Sequence, residues 1–349
     1  MKKIIIFNVF SLIFFLIILE ILFRVLPTSD SEKTRPVNSG SPYLHLIENS
    51  SLLISSGAFF THKEIKRTNN YGYFSDYNYE AQGATSKLIT IGSSLVTANQ
   101  ISNEASFHGL INSNFSDEKR VYMLAGANAP QSQYLAYARF AMREFNPAGF
   151  FIVIGNLDFN SSVLGNALPN SGYHYFESYD AASNLILLDY APSMIKEFFR
   201  NFALARYIFL NARVQTIKFS TFLGSAVKDT SVSGLDTSDF VLIDKFLGEL
   251  KSIVNDVPVV LVIDSPNQRN RAVRHDISVN SAAHKNYILK AAHDYKFGII
   301  DLEDEFVNDF KVNGKRFEWD DDSHWNAQGH RVVASAIMRS DLYKNYISK

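Results

Sequence analysis

The stretch Lys87-Leu88-Ile89-Thr90-Ile91-Gly92-Ser93-Ser94-Leu95 decides the fold. Leu88 to Ile91 are apolar or β-branched in an unbroken row, and Gly92 with two serines stops them. That is the pattern of a strand buried on both faces and ending in a tight turn. The segment from Leu95 to Asn114 then carries an expected helix. A serine at the carboxyl end of a central strand, beside a helix start, sits where open α/β sheets place their chemistry. Read alone, Gly92-Ser93-Ser94 also describes a plain strand-ending turn. A second stretch far downstream gives it meaning: Trp319-Asp320-Asp321-Asp322-Ser323-His324-Trp325-Asn326-Ala327-Gln328-Gly329-His330.

Outward from the first stretch, strands and helices alternate. Further strands are expected at Arg120 to Leu124, Gly149 to Ile154, Val257 to Ile263 and Phe297 to Ile300. Helical spacing of apolar residues covers Gln131 to Phe145, Phe240 to Val254 and Ala282 to Tyr295. This alternation predicts βαβ units and a mainly parallel sheet with both faces covered. Residues 159–238 break the rhythm with a Gly/Asn/Ser-rich loop and then an aromatic-rich helical stretch around Met194 to Phe222. They read as an insertion over the active edge of the sheet.

The chain has 349 residues, enough for a large core. With 34 basic and 35 acidic residues its net charge is -1, which gives no footprint for nucleic acid. It has no cysteine, which excludes disulfides, thiol nucleophiles and thiolate metal sites together. No phosphate-binding loop, H-E-x-x-H or dinucleotide fingerprint occurs, so neither a metal nor a cofactor is expected.

After Lys2 and Lys3 the run Ile4 to Phe23 is almost wholly apolar, interrupted by Asn8, Ser11 and Glu20. At about 1.5 Å per residue it spans a bilayer core. A cleaved signal peptide would have a shorter apolar stretch ending in small residues; this one runs into Glu20, Arg24 and Pro27. It therefore reads as an uncleaved anchor at residues 1–27, membrane-bound through residues 4–23. Glu20 and Arg24 are spaced to pair on one helix face. The two lysines ahead of the run put the N-terminus in the cytoplasm and the remainder outside. Residues 28–42, rich in Ser, Thr, Pro and charge, read as a flexible linker, and residues 43–349 as the folded domain with the insertion at about 159–238.

A hydroxyl is a poor nucleophile at neutral pH. Acyl transfer through serine therefore needs a base in hydrogen-bond reach, a carboxylate to orient it and donors for the oxyanion. Ser94 is the candidate nucleophile. His324, in a loop before an expected helix from Ala327 to about Met338 with Asn326 as N-cap, is the candidate base. The run Asp320-Asp321-Asp322 supplies the carboxylate; as a bare acidic run it also reads as a solvated loop. Asp264-Ser265-Pro266 mimics a nucleophile turn, but the proline restricts Ser265 and favours a plain strand exit. His174, His284 and His293 read as surface or packing residues.

Gly92-Ser93-Ser94, Gly126, Gly155-Asn156-Leu157-Asp158 and Asp321-Asp322-Ser323-His324, in that order, resemble the sequence blocks of the SGNH (GDSL-like) hydrolase superfamily. The ending His-Trp-Asn-x-x-Gly-His strengthens the likeness, which runs from about Leu88 to Met338. The anchor ending Leu-Phe-Arg-Val-Leu-Pro and the Asn-Asn-Tyr-Gly-Tyr before the first block are similar to membrane-anchored bacterial members. The resemblance implies a flavodoxin-like three-layer α/β/α fold beside one N-terminal transmembrane helix. It implies Ser94 as nucleophile with its own N–H as one oxyanion donor, Gly126 as a second and the Asn156 amide as a third. Asn128 is the alternative to Gly126, and Asn160 to Asn156. Ser93 stands where the family has aspartate, and Leu157 separates Asn156 from Asp158. The usual spacing selects Asp321 to orient His324; an Asp-x-His variant selects Asp322. The resemblance and the topology together imply a serine esterase or O-acyltransferase, single-pass in a bacterial inner membrane and facing the periplasm. Its expected substrate is an acyl ester, most simply O-acetyl, of an acylated glycan or another small ester; transfer would need a membrane partner supplying the acyl donor. The rival expectation is an inactive scaffold of a surface-polysaccharide assembly.

Overall fold

The computed structural model describes residues 2–83, 85–115, 118–155, 157, 159–165, 170–212, 237–264, 279–319 and 322–349. The chain begins with α1 (Lys2–Val25), a helix with no buried residue. It is long and apolar enough to cross a membrane. A hairpin comes after it, β1 (Ser51–Ser56) with β2 (His62–Arg67), antiparallel from Ser51↔Arg67 to Ser56↔His62.

The expected sheet comes next. It opens with β3 (Lys87–Gly92), buried at every position, then the short helices α2 (Ser94–Thr97) and α3 (Phe107–Asn112). Then come β4 (Val121–Ala125), α4 (Gln131–Glu144) and β5 (Pro147–Ile154). Between β5 and the next long helix come a small hairpin, β6 (His174–Phe176) with β7 (Leu185–Leu187), and the helices α5 (Met194–Arg200) and α6 (Ala203–Arg206). The chain returns through α7 (Thr237–Val254), β8 (Val259–Ile263), α8 (Val279–Asp294) and β9 (Gly298–Asp301). It closes with α9 (Leu302–Asn313), α10 (Ala327–Arg339) and α11 (Asp341–Ser348).

The five central strands are ordered β4-β3-β5-β8-β9 and all pair in parallel. This is the flavodoxin-like order: the sheet starts in β3, steps out to β4, then crosses to β5 on the other side. The reversal puts a crevice at the carboxyl ends of β3 and β5, and Ser93-Ser94 leave β3 at that point. Phe150 to Ile154 on β5 are all buried, each worth roughly 1.5–3 kcal/mol on transfer from water. The flanking helices form two mutually packed groups, α4 with α7 and α8, and α3 with α9, α10 and α11. Helix ends are set locally. The Asp301 side chain caps α9 through Glu303 N at 3.0 Å, and Gly314, at φ 60, ends it in the left-handed conformation.

Two expectations change. Leu95 to Asn114 is not one helix: α2 ends after a turn because Ala98 turns left-handed at φ 51, and α3 restarts only where the Ser106 side chain caps Gly109 N. The segment expected to be a flexible linker is also tied down. Asp30 N donates to Leu53 O at 2.7 Å and Val37 N to Tyr190 O at 2.9 Å, while Thr28 and Ser29 are buried. Its polar groups make packing bonds to the domain, which composition alone does not show.

Lys66 on β2 is fully buried, and its Nζ donates to Thr97 O, Ala98 O and Ile101 O at 3.2, 2.6 and 3.0 Å. Burial draws its pKa down to about 7, while the three carbonyls favour the ammonium. They make Lys66 a clamp on the loop after α2. Below it lie His108, whose ring nitrogens have no partner among the described residues, and His330, whose Nδ1 accepts from Phe107 N at 3.2 Å. Burial pushes His108 down to about 3 and His330 well below its ordinary value.

In the unfolded chain a histidine binds its proton near pH ~6.5, whereas these two rings stay neutral in the folded protein. The unfolded state therefore holds more protons below that pH, and stability falls as pH falls from about 6.5 toward 3. Denaturant titrations across this range should show on the order of 1.4 kcal/mol per pH unit for each such histidine. His108→Phe should remove one proton's share of that slope; an unchanged slope would contradict the neutral burial.

Candidate active site

Ser93 and Ser94 come directly after β3, with Ser93 as N-cap residue and Ser94 as first residue of α2. Ser94 is half-buried. It lines a cavity of about 380 Å³ together with Leu95, Asn128, Gln131, Tyr134, Gly155 and His324 among others. The hydroxyl and the imidazole, from opposite ends of the domain sequence, thus face one space. No hydrogen bond joins them. The Tyr134 phenol is pushed up to about 12 by burial, the nearby Ser93 hydroxyl acting the other way. In the position where the resembled family carries aspartate, Ser93 meets this neutral phenol.

His324 is held by its own loop. The Asp322 carboxylate pairs with His324 Nδ1 through Oδ1, and the same oxygen accepts from His324 N at 3.0 Å. A proton on Nδ1 facing Asp322 leaves Nε2 as the basic nitrogen. The other carboxylate oxygen accepts from Gln100 Nε2 at 3.0 Å, and that amide nitrogen lies 3.2 Å from His324 Nδ1. Gln100 belongs to the loop that Lys66 clamps. No sequence pattern marks Gln100: an amide in a loop has no period, and only the fold brings it beside the acid.

The His-Trp-Asn-x-x-Gly-His motif has a mechanical reading. Trp325 is buried among Phe107, Phe306 and His330, and its Nε1 donates to Asp264 Oδ1 at 3.3 Å. This pins the histidine loop to the end of β8. Asn326 caps α10 through Gln328 N and Gly329 N and donates to the carbonyls of Arg316 and Glu318, both at 2.9 Å. A Cβ on Gly329 would lie 2.7 Å from Phe317 O, so the helix packs there only without a side chain. His330 is the buried partner of Phe107.

The other expected residues separate. Asn128, left-handed at φ 58, lines the Ser94 cavity. Gly126 lines a smaller one of about 130 Å³, with Glu32 and Tyr73. Asn160 accepts from Tyr179 OH at 2.6 Å through Oδ1. Asn156, Asp158, Ser265, Asp320 and Asp321 lie outside the described residues. His174 Nδ1 lies 2.8 Å from Gln133 Oε1, and His284 Nε2 lies 2.9 Å from Asp239 Oδ2; both read as structural. The insertion divides: Asn170 and Tyr175 reach the cavity wall, whereas α5 and α6 do not.

Solved structures similar to this chain include a lipolytic protein of the G-D-S-L family from Veillonella parvula DSM 2008, at 9% identity and TM-score 0.40, covering 74% of this chain and 98% of that one. A lipase/acylhydrolase from Enterococcus faecalis matches at 11% identity and TM-score 0.42, over 74% of this chain and 97% of that one. An acetyl xylan esterase matches at 14% and 0.38, over 72% and 97%. No protein-family model matches the sequence, and no curated protein does. Roles within the site rest on this chain's own geometry.

The pairing of Asp322 with Nδ1 should appear as a low-field proton resonance from His324. Asp322→Ala should abolish it, and Asp321→Ala should leave it in place; the reverse outcome would move the orienting role to Asp321.

Proposed function

We propose that this chain is a membrane-anchored serine hydrolase of the esterase type, with Ser94 as nucleophile, His324 as general base and Asp322 as the carboxylate that orients it. The observation that carries the reading is a serine hydroxyl and a carboxylate-held imidazole lining one cavity at the sheet's crevice. In this reading Ser94 Oγ attacks the ester carbonyl as its proton passes to His324 Nε2. The Asp322 carboxylate stabilises the imidazolium. The Ser94 N–H and Asn128 are the donors for the tetrahedral oxyanion, Asn128 being preferred to Gly126 because it shares the cavity. His324 then gives the proton to the leaving alcohol, and an acyl-serine remains.

Water arriving at that acyl-serine makes the reaction hydrolysis; a sugar hydroxyl makes it transfer. A cavity of about 380 Å³ suits a small ester rather than a long acyl chain. With α1 as the anchor, we place the domain in the periplasm at the inner membrane. We take O-acetyl esters of an extracytoplasmic glycan as the substrate, and transfer would call on a membrane partner to deliver the acyl group. The missing Ser94–His324 hydrogen bond favours a second reading, a binding scaffold of polysaccharide assembly. Apo sites often close that bond only on substrate, so the enzyme reading stands ahead of it.

A fluorophosphonate probe on the detergent-solubilised full chain should label wild type and Ser265→Ala but not Ser94→Ala. His324→Ala should lower p-nitrophenyl acetate turnover by roughly 10³-fold or more. No labelling at any pH would favour the scaffold, and wild-type turnover in His324→Ala would remove the base.

A further inference from the structure

The second half of the insertion is turned inside out for a soluble surface. On α5, Met194, Ile195, Phe198 and Phe199 recur at the spacing that lines up one helix face, and just beyond it the Phe202 ring packs on Phe198. They are exposed: Met194 is 88%, Ile195 71% and Phe198 59% accessible. The charged members take the other side. Arg200 is only 11% accessible and pairs with Glu197. A helix covering a protein core shows the opposite arrangement.

The end of α1 lies against the segment that follows α5. Glu20 accepts from Ala203 N at 3.0 Å and Leu204 N at 2.9 Å, and from Arg24 Nε at 2.8 Å. Phe23 stacks on Tyr207 with centroids 4.0 Å apart, and Arg24 donates to Asn201 O at 3.2 Å. The apolar run Ile4 to Phe23 matches a hydrocarbon core of about 30 Å. Glu20 then sits about 4–5 Å inside its outer boundary. The start of α6, bonded to Glu20, lies at the same depth, and α5 packs against α6.

We propose that α5 and α6 form an interfacial helix pair lying in the headgroup region of the bilayer that α1 crosses, with the Met194-Phe198-Phe202 face in lipid. The proposal rests on reading α1 as a membrane span and adds a second contact to it. Apolar and aromatic side chains in that plane are what an interfacial helix presents to lipid. The arrangement also accounts for Glu20, the one acid in the apolar run: its carboxylate is occupied by two backbone N–H groups and Arg24, so a charge that lipid would penalise is satisfied. One helix alone leaves a domain free to tumble on its tether. Two contacts at the surface fix its orientation to the membrane.

The absence of native cysteine allows single nitroxide labels on the full chain in phosphatidylcholine/phosphatidylglycerol nanodiscs. Phe14→Cys, Met194→Cys, Phe198→Cys and Val312→Cys would be compared by collision with oxygen and with a water-soluble nickel chelate. Phe14 should read deep in lipid and Val312 should read as water. Met194 and Phe198 should show an oxygen preference several-fold above that of Val312 and shallower than Phe14. If Met194 and Phe198 match Val312 while Phe14 is deep, the interfacial pair is wrong and the anchor stands. If Phe14 also reads as water, the membrane reading falls and this proposal with it. Dipolar broadening between labels at Phe198, shielded from both reagents, would put a second copy on the face and overturn the lipid assignment.

Discussion

The site depends on one constraint, a central strand whose carboxyl end opens at the switch in strand order. β3 lies between β4 and β5, so its backbone bonds are shared on both sides and every residue from Lys87 to Gly92 is buried. Ser94 is therefore presented by a backbone held from both flanks, with the crevice between diverging connections above it. A hydroxyl on an edge strand would have neither the rigidity nor the space.

The imidazole reaches the same place by another route, and its precision is local. Asp322 and His324 are two residues apart, and the acid binds both the ring and the backbone N–H of the histidine. That unit is then attached to the sheet by Trp325 reaching Asp264 and to α10 by the cap of Asn326. Gln100 links it back to the loop after Ser94. Lys66 secures that loop through three carbonyls, and replacing it would leave buried acceptors unpaired at about 1–3 kcal/mol each. The two halves of the site are thus connected through polar bonds as well as through the shared cavity.

The sheet is legible in the sequence because fully buried parallel strands read as near-continuous apolar or β-branched runs, and Leu88 to Ile91, Gly149 to Ile154 and Val259 to Ile263 are such runs. Asn326 is legible as a cap because capping is local chemistry. The β1–β2 hairpin is not: His-Lys-Glu-Ile-Lys-Arg shows no apolar face, and Lys66 is buried by carbonyls that lie elsewhere in the chain. Gln100 escapes for the same reason. The aromatic stretch after Met194 reads in sequence as a cover for the active edge, since Phe at helical spacing looks the same whether a core or something outside the protein receives it. Only the side on which Arg200 falls separates the two.

The destination of those aromatics bears on the site. An anchor of one helix with a mobile linker behind it would hold the cavity at varying heights above a membrane. Here residues 28–42 run along the domain, bonded to β1 and to Tyr190, and Glu20 is bonded to the start of α6. The tether is short and packed at both ends. With α1 in a membrane, as proposed above, a site carried this way works within a fixed distance of the surface. On the proposed membrane reading of α1, the hydrogen bonds of residues 28–42 belong to positioning as much as the hydrogen bond from Gln100 to Asp322 does, the latter setting the imidazole against the serine and the former setting both against the bilayer.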